Sequence, residues 1–385
     1  MARRALGKTV FDAALDRMVE LYSEGHRIIV SFSAGKDSGV CLEVCILAAS
    51  ITNRLPVEVI MRDEEIMFPG TFEYAERMAN RPEIDFHWIY ANQPIINIFN
   101  REKPYWWVFD PLLPPDQLVR QPPARAYKIA EQNIQGMITP DRFPPAPGKK
   151  LFTVVGLRVS ESINRMRGLY ASGGYTTVRP NDWGVYYARP IYDWADGDIW
   201  KAIRDNKWDY NEAYDVMHRL GVDKNKLRIA PPTMTAASTE HLPVAMRAWP
   251  VWFDKVCQRL PGIRTAANFG RRAISPLRRI DESWQQCFQR TCIDEAPPWI
   301  ASRADTLRRE ALRFHNSHST EPFPDVALCP KCGQHGSWKQ MSNVIYNGDP
   351  FLSRLGSQFQ RQLPYVEPEF FRPGSGTWGG GNPAF

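Results

Sequence analysis

Ile28-Ile29-Val30-Ser31-Phe32-Ser33-Ala34-Gly35-Lys36-Asp37-Ser38 passes from an apolar run through small and hydroxyl residues into Lys-Asp-Ser, and apolar residues at helical spacing follow through Leu47. This order predicts a buried strand, a tight loop and a helix N-terminus, a geometry that turns backbone N–H groups and a positive dipole end toward an anion. Lys36 adds a cation, while Ser33 and Ser38 add donors. The expected ligand is a phosphate cradled by Ser31, Ser33, Ala34, Gly35, Lys36, Asp37 and Ser38; the bland alternative is a packing turn. Walker A is excluded, because it needs Gly, four residues, Gly-Lys and then Ser or Thr. Here Val30 stands five residues before Gly35, and Asp37 follows Lys36.

Two further segments point the same way. Val57 to Ile60 reads as a strand, followed by Arg62-Asp63-Glu64-Glu65 and Phe68-Pro69-Gly70-Thr71. Acids at a strand's carboxyl end lie where open α/β sheets read ribose, adenine or a metal, although a solvated acidic loop has the same composition. The strand Leu151 to Val155 runs into Gly156-Leu157-Arg158-Val159-Ser160-Glu161-Ser162-Ile163-Asn164-Arg165. An Arg fork there suits phosphate, with a carboxylate to hold the fork in place.

The loop resembles the Ser-Gly-Gly-x-Asp-Ser loop of the PP-loop ATP pyrophosphatase superfamily, with Ala34 in place of the first glycine. Asp63 to Thr71 resembles the Asp-Thr-Gly-x-x-Phe-Pro-Glu-Thr stretch of its phosphoadenosine-phosphosulfate reductase branch. Gly156 to Arg165 resembles that branch's Gly-x-Arg-x-x-Glu-Ser-x-x-Arg. Arg189-Pro190-Ile191-Tyr192-Asp193-Trp194 with Asp198-Ile199-Trp200 resembles its Pro-Ile-x-x-Trp-x-x-x-Asp-Val-Trp. The matches run in order from about Ile28 to Tyr214. They imply a doubly wound, mostly parallel α/β sheet and an adenine-nucleotide site. Lys36, Asp37, Arg158 and Arg165 would act on the nucleotide, while Asp63, Glu65, Gly156 and Glu161 would help to bind it.

The departures remove the reductase chemistry. The branch uses a cysteine in a C-terminal Glu-Cys-Gly motif, and no such motif occurs; the last cysteine is Cys332. Sulfonate cleavage needs an activated thiol. DNA-phosphorothioation and adenylyl-sulfate relatives place iron–sulfur cysteines soon after the Trp segment, where this chain reads Leu227-Arg228-Ile229-Ala230-Pro231-Pro232-Thr233. Two classes stay open. One is an enzyme that cleaves ATP, with Mg²⁺ placed by Asp37 and Asp63 or Glu65, to AMP and pyrophosphate and adenylates a substrate, nucleic acid included. The other is a non-catalytic nucleotide sensor, since reductase-like proteins without the cysteine occur beside ParB-like partners in phages and mobile elements.

With 385 residues, a nucleotide-binding domain over 1–230 is expected, with an insertion at about 94–150, a helical module over 231–320, a Cys/His module over 321–373 and a Gly-rich tail over 374–385. The insertion either shapes a substrate pocket or is a stabilising excursion. No apolar run approaches the roughly 20 residues that cross a bilayer, and the start lacks an apolar signal core. Seven cysteines, an odd number, argue against a disulfide framework. The expected compartment is the cytoplasm, with no membrane partner.

Cys329-Pro330-Lys331-Cys332-Gly333 is half of a zinc knuckle. The other half is Cys287 and Cys292, or instead His315 and His318, or His335. The four-thiolate set predicts structural Zn²⁺, with an iron–sulfur cluster and a redox dithiol as alternatives. Cys41 and Cys45, four apart, read as packing residues. The net charge is +6, and Arg264, Arg271, Arg272, Arg278, Arg279 and Arg290 fall in one span with Phe269 and Trp284. This pattern suits a nucleic-acid backbone, or an ordinary solvated face.

Overall fold

The structure, a computed structural model, describes residues 7–130, 135–161, 163–229, 240–332, 336–349 and 367–372; His335, Ser162 and the Gly-rich tail lie outside them. The chain divides into two compact units, Met1–Gln93 with Arg120–Ala230, and Pro94–Val119 with Pro231–Phe385. The insertion is thus shared: 94–119 groups with the C-terminal unit and the remainder with the first.

In the first unit the chain runs α1 (Val10–Ser23), β1 (Arg27–Ser31), α2 (Lys36–Ile51), β2 (Val57–Arg62), α3 (Thr71–Ala79) and β3 (Ile84–Tyr90). The same unit continues, after the segment that belongs to the other, with β6 (Tyr127–Lys128), β7 (Leu151–Val154), α4 (Ile163–Ala171), β8 (Tyr186–Ala188), α5 (Asp196–Asn206) and α6 (Ala213–Arg219). The strands form one sheet in the order β6-β3-β2-β1-β7-β8, with every pairing parallel. The chain builds outward from β1 through β2 and β3, then returns to place β7 on the other side of β1. That reversal opens a crevice at the carboxyl ends of β1 and β7.

A strand buried on both faces reads as a continuous apolar run, and alternate residues here serve separate cores. Ile28 and Val30, with Val57, Val59, Met61, Trp88, Phe152 and Val154, pack against Met18 of α1, Leu42 and Val44 of α2, Tyr74 of α3 and Ile199 of α5. Ile29, Ile60, Ile89 and Leu151 face the other way, onto Ile129, Met137, Ile138, Phe143 and Val185. The second face is therefore covered by extended and 3₁₀ chain from the insertion. Cys41 and Cys45 are fully buried on α2, as their spacing predicts, and burial pushes both thiols up, away from reactivity.

Within the stretch Arg189 to Trp200, Asp193, Trp194 and Asp198 are scaffold. Arg17 of α1 donates to both carboxylate oxygens of Asp193 at 2.9 and 2.6 Å and to the Pro190 carbonyl at 2.7 Å. Trp194 is wholly buried and donates its indole N–H to the Val10 carbonyl at 3.0 Å. Asp198 accepts the Ala195 N–H at 2.7 Å and so caps α5.

The C-terminal unit begins with a ribbon, β4 (Pro94–Ile96) paired antiparallel to β5 (Tyr105–Trp107). Its helices are α7 (Leu242–Ala248), α8 (Pro250–Arg259), α9 (Ile263–Phe269), α10 (Trp284–Phe288), α11 (Pro298–His318) and α12 (Trp338–Ile345), with a π-turn over Gln289–Asp294. Asn97 donates to the Pro261 carbonyl at 3.0 Å, and Arg259 donates to the Trp107 carbonyl at 2.6 Å, tying the ribbon to the helices. No helix among the described residues is long and apolar enough to cross a membrane.

Ala34 is fully buried with φ +55°, in the left-handed region, at the position where the resembling loop carries glycine. An L-residue is strained there by about 1–2 kcal/mol. Ala34→Gly is expected to stabilise the chain by about 0.5–1 kcal/mol, after the extra backbone entropy glycine must lose. Urea unfolding checks this, and a lowered midpoint would contradict the strain.

Candidate functional site

At the carboxyl ends of β1 and β7 lies a cavity of about 590 Å³. It is lined by the loop and first turn of α2 (Ser31, Ser33, Gly35, Lys36, Asp37, Ser38), by the turn after β7 (Gly156, Arg158, Ser160, Glu161, Arg165), and by Asp196, Tyr214 and Arg228. The sequence reading places ten of these residues at a nucleotide site, and the fold gathers all ten around one space.

The loop is held by hydroxyls and by a neighbour distant in sequence. Ser38 Oγ accepts the Ser33 N–H at 3.2 Å and donates to the Gly35 carbonyl at 3.0 Å. Buried Asn211 donates its amide to the Ala34 carbonyl at 3.1 Å and to Thr71 Oγ1 at 3.2 Å. The Lys36 N–H, at the start of α2, donates to the Tyr214 hydroxyl at 3.0 Å. Burial pushes that hydroxyl well up, outweighing the Lys36 amide, so Tyr214 stays a neutral phenol. Gly156 sits against the same helix end: a Cβ there would lie 2.9 Å from the Asp37 carbonyl carbon and 3.0 Å from the Ser38 nitrogen.

Charge is concentrated and interlocked. Lys36 Nζ lies 2.9 Å from Asp37 and 3.0 Å from Asp196. Arg158 contacts Asp37 at 2.6 Å, Asp196 at 3.1 Å and Ser160 Oγ at 3.2 Å. Both cationic side chains are about 5 % exposed. The Arg158 fork is thus held by Asp37 and Asp196; Glu161 stands 4.0 Å away and instead pairs with Arg165. Arg165 is lowered from its ordinary value by burial, then by the nearby Arg228 charge. Lys36, Arg158, Arg165 and Arg228 face Asp37, Glu161 and Asp196, which leaves a cationic excess suited to an anion.

A second cavity of about 530 Å³ shares Asp196, Tyr214 and Leu227 with the first, and adds Trp200, Tyr210, His218 and Lys224. Trp200 meets Tyr210 and Tyr214 edge-on, with centroids 5.7 and 5.6 Å apart.

No protein-family model matches the chain. It is 26% identical over 379 residues to the uncharacterized protein YbdN of Escherichia coli (strain K12), the alignment covering 90% of each. Among solved structures, it is similar to the FMN adenylyltransferase of Candida glabrata in complex with ATP, with a TM-score of 0.34, 12% identity, and coverage of 55% of this chain and 62% of that one. It is also similar to the phosphoadenylyl-sulfate reductase of Candida auris in a phosphate complex, with a TM-score of 0.31, 14% identity, and coverage of 56% and 94%. The match thus spans less than two thirds of the adenylyltransferase chain. These structural likenesses concern the fold alone.

Asp63 and Glu65 are not among the lining residues of either cavity. Asp63 is fully buried, with its carboxylate already engaged by the Glu65 N–H at 2.9 Å, the Trp88 indole at 3.0 Å and Arg120. Arg120 lies over the Phe72 ring, 3.3 Å from its centroid. Three donors on one buried carboxylate make it a strut for the β2–β3 edge, and Glu65 is buried beside it at φ +61°. The carboxylates that line the cavity are those of Asp37, Glu161 and Asp196.

In the C-terminal unit, His315, Cys329 and Cys332 bring their ligand atoms within 4.8 Å of one another, a donor set that can hold a metal ion. Cys287 and Cys292 are not part of this group. Cys292 packs in the apolar cluster of Phe288, Leu307 and Trp338, and Cys287 is buried on α10. His318 is exposed and stacks on Phe314. In the arginine span, Arg290 is clasped by Glu282 at 2.7 Å and Glu295 at 3.3 Å, Arg264 pairs with Asp254 at 2.6 Å, and Arg279 stands 3.9 Å from Glu295. These acids supply the counter-charge that a nucleic-acid backbone would have to displace; the Arg271 side chain lies outside the description.

Asp196, Tyr214, Arg228 and Asn211 are the residues that sequence reasoning missed. Asp196 lies two residues past Trp194, in the gap between the two quoted segments, and Arg228 lies in the cysteine-free stretch after α6.

Gly156→Ala forces a methyl group onto the start of α2 and is expected to destabilise the first unit by about 1–3 kcal/mol. Gly168→Ala on α4, where a Cβ would meet nothing within 4 Å, should be neutral or stabilising by up to about 1 kcal/mol. Denaturant midpoints for the two variants test this close approach, and equal values would refute it.

Proposed function

We propose that this chain is an ATP-binding enzyme of the PP-loop type that cleaves ATP between the α and β phosphates, releasing pyrophosphate and transferring AMP to an acceptor oxygen. One observation carries this reading. A helix N-terminus, a lysine and an arginine fork converge at the switch-point crevice, and both cations are held by carboxylates that line the same space.

The donor set fits a polyphosphate accompanied by a divalent cation. Amides of the α2 turn and Lys36 suit terminal phosphates, and Arg158 suits the charge that builds on a departing pyrophosphate. Asp37 and Asp196 would repel bare phosphate. Mg²⁺, which neutralises phosphate charge when bound, is the cation these two residues would hold. The acceptor oxygen attacks the α-phosphorus, the α–β bridging bond breaks, and its electron pair leaves with pyrophosphate. No cysteine is among the described residues lining the cavity.

Lys36→Ala and Arg158→Ala are each expected to weaken binding of a non-hydrolysable ATP analogue with Mg²⁺ by about tenfold to a hundredfold, or about 1.5–3 kcal/mol. Titration calorimetry reads this, and unchanged affinity in both variants would remove the phosphate site.

Incubating the purified chain with labelled ATP and Mg²⁺ is expected to yield AMP and pyrophosphate. ADP and phosphate would place the cut at the wrong bond. Tight binding with no turnover, even with cell extract supplied as a source of acceptors, would leave a nucleotide sensor in place of the enzyme.

A further inference from the structure

The last turn of α11 and the Cys329–Cys332 loop meet in an arrangement that the nucleotide chemistry does not use. His315 is wholly buried, with its Nε2 2.7 Å from the Glu321 carbonyl oxygen. A carbonyl only accepts, so Nε2 carries the proton. In that neutral tautomer Nδ1 is an acceptor, and it lies 3.3 Å from Cys332 Sγ. The sulfur of Cys329 completes the triangle, within 4.8 Å of both other ligand atoms. It receives hydrogen bonds from the backbone of Cys332 and Lys331 and from the Ser319 side chain.

We propose that His315 Nδ1, Cys329 Sγ and Cys332 Sγ bind one Zn²⁺, a site in the C-terminal unit separate from the nucleotide cavity and built from one imidazole and two thiolates. Zinc at about 2.3 Å from sulfur and about 2.0–2.1 Å from nitrogen separates tetrahedral ligand atoms by about 3.5–3.8 Å. Here one side of the triangle is 3.3 Å and none exceeds 4.8 Å. Its surroundings are those of a ligating histidine: the second ring nitrogen donates to a carbonyl, fixing tautomer and ring plane. Backbone N–H groups aimed at one sulfur, with two residues between the cysteines, are the knuckle arrangement that offsets thiolate charge. One corner of the tetrahedron is left for a further donor or a water.

The consequence is structural. The ion would close residues 315 to 332 into a loop, locking the end of α11 to the strand of chain that leads into α12. That loop holds few apolar anchors, Phe323 against His315 at 5.2 Å among them, so metal binding would supply folding free energy directly.

Elemental analysis of the full-length protein purified without chelator is expected to find about one zinc per chain. Replacing it with Co²⁺ should give the near-ultraviolet sulfur-to-cobalt absorption and intense visible bands of a tetrahedral thiolate site, a reading that needs no variant. His315→Ala and Cys329→Ser should lose the metal, while His318→Ala, Cys287→Ser and Cys292→Ser should keep it. Iron in place of zinc would overturn the proposal. So would a metal-free protein with a reversible Cys329–Cys332 disulfide, or loss of zinc in the Cys287 or Cys292 variants with retention in His315→Ala. None of these readouts depends on ATP, so the site stands or falls apart from the proposed activity.

Discussion

Lys36, Asp37, Arg158 and Asp196 neutralise one another at the carboxyl edge of the sheet, and the first unit is arranged so that they can. Lys36 and Asp37 open a helix, Arg158 follows the strand on the far side of the crevice, and Asp196 begins a helix more than thirty residues later. Two nearly buried cations without partners would each carry a desolvation penalty of several kcal/mol. The carboxylates offset that penalty by pairing with both cations. The charges are paired, and the pairs face a cavity.

The contrast with Asp63 is instructive. Both acid clusters sit at the carboxyl edge of the sheet, yet Asp63 accepts from an indole, an amide and a guanidinium and lines neither of the two cavities described. A carboxylate with its acceptor sites filled by rigid donors contributes to stability and leaves little for a ligand. Burial alone does not separate the two roles. What separates them is whether the partners can be traded for something that enters from solvent.

The parallel sheet and the loop before α2 were legible because local pattern determines them: an apolar run in β1, then small residues, then a helix start. Gly156 and Arg158 were legible for the same reason, being set by the end of β7. Asp196 and Tyr214 were not, because their place depends on how α5 and α6 fold back over the loop, and no local periodicity encodes that return. The second face of the sheet was hidden likewise. Met137, Ile138 and Phe143 cover it from chain with no helical period. Among the cysteines, spacing identified the Cys329–Cys332 pair. Pairing it with Cys287 and Cys292 failed to foresee that a π-turn carries Cys292 into the apolar cluster.

Asp196 belongs to the walls of two cavities at once, one polar and one faced with Trp200 and Tyr210. A carboxylate offers a limited set of lone pairs, so any donor that engages it from the aromatic side takes hold of an anchor used by Lys36 and Arg158 on the other. A ligand that engaged Asp196 in one chamber would change the electrical environment of the other, and by linkage such an influence would be equal in both directions. The wall between the chambers works as a shared electrode as much as a partition.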